Sequence, residues 1–98
     1  MRFVFKSNKL QALYTDEQDS HRYPEEVVAA FFDVMAIIVA ARDERDLYAV
    51  KGLRFEQLSG KRKHQRSLRL NSQWRLIVEL ESDDEGKCIL IVSIEDYH

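Results

Sequence analysis

The chain has 98 residues and a mass of 11.6 kDa, with 45% hydrophobic and 33% charged residues, three glycines and one proline. That balance excludes disordered, collagen-like and low-complexity classes and points to one folded domain over residues 1–98 with a single core. The net charge of −2 is unevenly spread: Lys51–Arg75 holds eight Lys/Arg against Glu56 alone, a local +7, leaving −9 on the rest, and such an asymmetry speaks of an anionic partner rather than of fold.

Arg2–Phe5 reads as a short opening strand. The basic, apolar start lacks the ~7–15-residue apolar core of a signal peptide, and no window approaches the ~20 apolar residues of a membrane span, so the expected location is the cytoplasm, with no membrane partner. Ser7 is an N-cap candidate, with Leu10, Leu13 and Tyr14 at helical spacing behind it. Thr15–Tyr23 is polar and reads as a loop. Pro24 fits the first position of a second, long helix, where Glu25 and Glu26 meet the positive end of the dipole. That helix is expected to run to about Ala41, with Val27, Val28, Phe31, Phe32, Met35, Ile38 and Val39 as its core face and Asp33 off it. Arg42–Asp46 and Leu47–Val50 read as a helix end and a linking turn.

From Arg54 onward the period changes to two. Leu68 and Leu70 face one way and Ser67 and Arg69 the other; then Trp74, Leu76, Val78 and Leu80 alternate with Arg75, Ile77, Glu79 and Glu81. Leu70–Gln73 and Ser82–Gly86 are the turns of antiparallel hairpins. Cys88–Ile94 is apolar except at Ser93, as in a central strand, and the lone Cys88 permits neither an internal disulfide nor a multi-cysteine metal site. The order predicts an α+β fold, with two helices packed on one face of a small, mostly antiparallel sheet of four to five strands. The other face would be free for a ligand, with Arg69 and Arg75 on it and Arg66 near the strand start.

Phosphate-binding glycine loops, metal-ligand spacings and Gly-x-Ser-x-Gly elbows are all missing from the sequence, so no cofactor or metal is expected. The chemistry-bearing residues left are Lys61, Arg62, Lys63, His64, Arg66, Arg69 and Arg75, and the ending Glu95-Asp96-Tyr97-His98. Several cations along two strands can neutralise several phosphates, and Tyr97 and His98 offer rings on which a base can stack. RNA carries its own nucleophile, the 2′-hydroxyl. Cleavage therefore needs only a base, an acid and cations for the phosphorane, all available from these side chains.

Leu58-Ser59-Gly60-Lys61-Arg62, Ser67-Leu68-Arg69-Leu70-Asn71-Ser72-Gln73-Trp74-Arg75 and the closing Glu95-Asp96-Tyr97-His98 together resemble the HigB "killer protein" toxins of bacterial toxin–antitoxin systems, in the RelE/ParE superfamily. The resemblance covers essentially the whole chain. It implies a RelE-like fold and a ribosome-dependent mRNA endonuclease that enters the ribosomal A site. It also implies neutralisation by a HigA-like helix-turn-helix antitoxin, through which alone operator DNA would be contacted. By position, Asp96, Tyr97 and His98 match the family's functional ending, and Arg62, Arg69 and Arg75 its basic positions. On that match Arg69 and Arg75 are expected to stabilise the phosphate and His98 and Tyr97 to be proton-transfer candidates, with Asp96 beside them; the basic run itself makes Lys61, Arg62, Lys63 and Arg66 the expected RNA-binding residues.

The chain departs from the family at two places. Glu56 stands where some members have a His, and is either a base or a strand surface residue; Lys63-His64 replaces the small residue that usually follows the family's Arg, and His64 is read as solvent-exposed. Ile37 and Leu47–Val50 are the apolar positions an antitoxin would cover. A ParE-like, non-enzymatic gyrase inhibitor and an inactive RNA- or antitoxin-binding module remain as alternative functions on the same fold.

Overall fold

The computed structural model describes residues 1–97. Strand β1 (Arg2–Phe5) leads into helix α1 (Asn8–Asp16), which Ser7 caps by accepting the Leu10 N–H on its hydroxyl at 3.3 Å. Helix α2 (Glu25–Ala40) begins immediately behind Pro24, whose carbonyl accepts from Val27 and Val28, so the proline sits one residue ahead of the position expected for it. The intervening loop contains one 3₁₀ turn, Ser20–Arg22.

The buried residues of α2 are Val27, Phe31, Val34, Met35 and Ile38, which recur at three- and four-residue steps along one stripe. Two expectations are corrected there. Val39 follows Ile38 by a rotation of about 100° on the helix and is 52% exposed, whereas Val34 belongs to the core. The segment expected to be a linking turn is instead helix α3 (Glu44–Ala49), because the Asp43 carboxylate caps it by accepting the Arg45 N–H at 2.9 Å. Leu47 on that helix is completely buried, while Tyr48 and Val50 remain exposed.

The sheet has the order β1-β5-β4-β3-β2, with β2 at Glu56–Gln57, β3 at Gln65–Arg69, β4 at Trp74–Asp83 and β5 at Gly86–Asp96. All neighbours are antiparallel except β1, which runs parallel to β5. Strand β5 is therefore interior, paired on both edges, as its apolar run, broken only at Ser93, anticipated. The β3–β4 turn is closed by Asn71, whose Oδ1 accepts from the backbone N–H groups of Gln73 and Trp74 at 2.9 and 2.8 Å; an Asx side chain standing in for a backbone acceptor is what makes this residue suit a turn. Helices and sheet meet in one cluster in which Leu10, Leu13, Phe31, Met35, Ile38 and Leu47 pack with Leu68, Leu76, Val78, Ile89 and Ile91.

Phe31 has no exposed surface and contacts the rings of Tyr14 and Phe32. Phe31→Ala should therefore lower stability by about 3–5 kcal/mol, the usual cost of deleting a buried ring, read as a reduced urea midpoint at unchanged slope.

Candidate functional site

The pleat places Ser67, Ile77 and Ser93 in one cross-strand row on the face away from the helices, with Glu56 of β2 beside Ser67. The adjacent row is Arg69, Arg75 and Glu95. Side chains directly opposite one another in such pairs have Cβ atoms about 4.5–5.5 Å apart, and like charges there repel. Two guanidinium-bearing residues in direct register thus concentrate positive charge on this face at an energetic cost to the sheet. Neither Arg69 nor Arg75 has a carboxylate within 4.0 Å among the described residues.

Next to this pair lies a cavity of about 180 Å³ lined by Glu56, Gln57, Leu58, Ser59, Ser67, Arg75 and Tyr97. Ser67 is 6% exposed and lies deep in it, while Glu56–Ser59 supply a wall. Tyr97 stands across from that wall: its backbone N–H donates to the Gln73 carbonyl, and the Arg75 guanidinium lies 5.8 Å from its ring centroid. The ring is 44% exposed, which leaves a face for stacking. The site therefore unites an acid, a phenol and a guanidinium from three strand ends far apart in sequence.

The wall is held by the loop that follows β2. Leu58 donates its N–H to the Gln65 carbonyl, the Gln57 side-chain amide donates to the Lys63 carbonyl, and residues Gly60–Arg62 form a 3₁₀ turn entered through Gly60 at φ 66°. That left-handed backbone favours glycine. From this turn Arg62 reaches back over the sheet. It donates Nη1 and Nη2 to the two carboxylate oxygens of Glu95 at 2.9 and 2.8 Å, and Nε to the Gln65 side chain at 2.9 Å. Gln65 on β3 and Glu95 on β5 flank β4 on either side of the Ile77 row. Arg62 thus bridges two residues on either side of Ile77, which has no exposed surface although it lies outside the helix-side core. Ser93 also donates to Glu95, at 2.8 Å, and the Arg62 contact holds the Glu95 carboxyl below its usual range. Glu79 is lowered in the same way, first by Gln65 and then by Lys6.

The remaining expected site residues divide. Lys61 and Lys63 are exposed on the loop. His64 is exposed as anticipated, with Nε2 3.9 Å from Glu79. Arg66 pairs in register with Val78 and so shares the helix side, where its Nε donates to the Tyr48 hydroxyl at 3.0 Å and its guanidinium lies 6.0 Å from the Phe55 ring. It is separated from Arg69 and Arg75 by the thickness of the sheet. Asp96 is opposite Trp74, on the other side of the strand from Tyr97, and accepts from the Gln73 amide at 2.9 Å. His98 lies outside the described residues. Sequence reasoning did not mark Ser67, Gln57, Leu58 or Ser59 as site residues, and it named Glu95 within the ending without giving it a partner. Alternation did put Ser67 on the Arg69 face, and carried one residue further it could have put Arg66 on the Leu68 face; the Arg62–Glu95 pair, 33 residues apart, leaves no local signal.

Comparison with known proteins agrees with the family resemblance. The family model of HigB-like toxins, described as the RelE-like toxin of a type II toxin–antitoxin system, matches residues 3–98. The toxin HigB-1 of Vibrio cholerae serotype O1 is 37% identical over 79 residues, spanning 81% of this chain and 83% of that protein. Among solved structures, a YoeB/ParE toxin from Agrobacterium tumefaciens superposes over the full length of both chains with a TM-score of 0.58 at 14% identity, a likeness of fold.

The carboxyls of Glu95 and Glu79 both titrate below their ordinary value in the folded chain. Their stabilising contribution is fully present above the ordinary glutamate value of about 4.3 and is lost as pH falls through the folded value. The thermal midpoint should therefore drop as pH is lowered from about 5 to 3, and Glu95→Gln should make that drop shallower than in the parent chain.

Proposed function

The chain belongs to the HigB-like family of RelE-like toxins of type II toxin–antitoxin systems, and we propose that it acts there as a ribosome-dependent endonuclease on translated mRNA. The observation that carries this reading is the register pair Arg69–Arg75 beside a cavity holding Glu56 and Tyr97. Two like charges maintained side by side are accounted for by a dianionic or phosphorane-like group between them, where preorganised cations stabilise developing charge.

In this mechanism a base removes the proton of an RNA 2′-hydroxyl, and the 2′-oxygen attacks the adjacent phosphorus. The bond to the 5′-oxygen breaks, leaving a 2′,3′-cyclic phosphate and a 5′-hydroxyl once an acid has protonated the departing oxygen. Arg75 and Arg69 stabilise the phosphorane. Glu56, Tyr97 and His98 are the proton-transfer candidates. Asp96, anchored through Gln73 to the β3–β4 turn, orients the chain ending. The Tyr97 ring provides the surface on which an unstacked base lies, and Lys61 and Lys63 add the salt-sensitive attraction of an exposed basic loop to RNA, joined by whatever charge Arg62 and Arg66 contribute at longer range.

A type II toxin has an antitoxin as its partner; we assign that role to a HigA-like helix-turn-helix protein that alone contacts operator DNA. The mRNA and the ribosomal A site are the toxin's own partners, which places its action in the cytoplasm. No described helix is long and apolar enough to cross a membrane.

Purified chain added to a translating extract should cut mRNA, and the same mRNA without ribosomes should stay intact. Uncut message in the translating reaction refutes the nuclease reading. Arg75→Gln should slow cleavage by about 10²–10³-fold, the loss typical of deleting one transition-state donor, with the thermal midpoint little changed. Deleting Tyr97 and His98 should abolish growth arrest on expression; arrest that persists with intact message favours a gyrase-directed toxin.

A further inference from the structure

We propose that Arg62 is a positioning residue, whose task is to sequester the Glu95 carboxylate so that Arg75 keeps its charge for the RNA phosphate. Glu95 is the direct cross-strand neighbour of Arg75 on the exposed face, close enough for an ion pair between the two side chains. That pair is not formed. Both Glu95 oxygens are taken by Arg62, one of them also by Ser93, and Arg62 is itself oriented by Gln65. Arg75 leans instead towards the Tyr97 ring.

Bidentate guanidinium–carboxylate bonding is geometrically exclusive, since the fork occupies both oxygens at once. Without Arg62 the freed carboxylate would have Arg75 as its nearest cation on the face, and the two would neutralise each other beside the cavity. Arg62 thereby acts on the substrate site through Glu95, with its own guanidinium committed elsewhere. It is the basic residue of the loop that does not meet the RNA.

This rests on Arg75 being the phosphate-binding cation of the proposed reaction, so the test reads binding rather than cleavage. A fluorescent ten-nucleotide single strand with 2′-deoxy sugars, which lacks the nucleophile, is titrated at low salt against the parent chain, Arg62→Gln, Glu95→Gln and the double variant. Glu95→Gln is expected to raise affinity about fivefold more in the Arg62→Gln background than in the parent, a coupling ordinary for residues that share partners. Equal effects in both backgrounds, or a larger gain in the parent, would overturn the proposal, because they are the signatures of an Arg62 that contacts RNA itself. Should Arg62→Gln fail to fold, the parent chain decides: titration with inorganic phosphate should shift the NMR signal of the Arg75 Nε–H and leave that of Arg62 in place, and a comparable Arg62 shift refutes the idea. Loss of cleavage with intact coupling would separate failure of the nuclease reading from failure of this one.

Discussion

Strand β4 is hydrogen-bonded along both edges, to β3 and to β5, and because its side chains alternate, that double pairing forces two chemically different surfaces onto one strand. Leu76 and Val78 go to the helices, whereas Arg75, Ile77 and Glu79 go to the other side. Once the helix-side residues are buried, a slip of one residue would exchange the two sets. The register is thus held by the hydrophobic core, and every relation among the site residues, from Arg69 opposite Arg75 to Glu95 on its other flank, follows from it.

A β-bulge sharpens this arrangement. Ile77 pairs with Ser93 but Val78 pairs with Ile91, so Val92 is passed over. Because of the extra residue, the end of β5 carries Glu95 onto the arginine face while Ile89 and Ile91 stay in the core. An uninterrupted ladder would have kept only one of those two placements. Bulges commonly re-aim a side chain near a functional site, and here the re-aimed residues are those that lead into Tyr97.

The exposed face is unusual in being polar yet closed at its centre. Ile77 has no exposed surface, and the Arg62 guanidinium bonds Gln65 and Glu95 on either side of its row. An arginine suits such a bridge because its planar fork donates along several edges at once. The same loop that provides the Lys61 and Lys63 charge is anchored by this contact, so the basic segment is partly a recognition surface and partly the structure that keeps the recognition surface in shape.

Much was legible in the residues themselves. Period-two alternation separated Arg69 and Arg75 from Leu68, Leu70 and Trp74; the 3.6-residue stripe gave α2 its buried face save for Val34 and Val39; Ser7 and Asn71 marked a helix start and a turn that form as their side-chain chemistry requires. These features depend on neighbours a few positions away, and so survive without knowledge of the fold. The family motifs, likewise, are contiguous. What only the tertiary structure decided is how the charges are partnered: that Arg62 belongs to Glu95, that Arg66 belongs to Tyr48 across the sheet, and that Glu56, Arg75 and Tyr97 line one cavity. Those contacts join residues 18 to 41 positions apart, and the strand register, the bulge and the path of one loop set them together, none of which a local pattern of residues encodes.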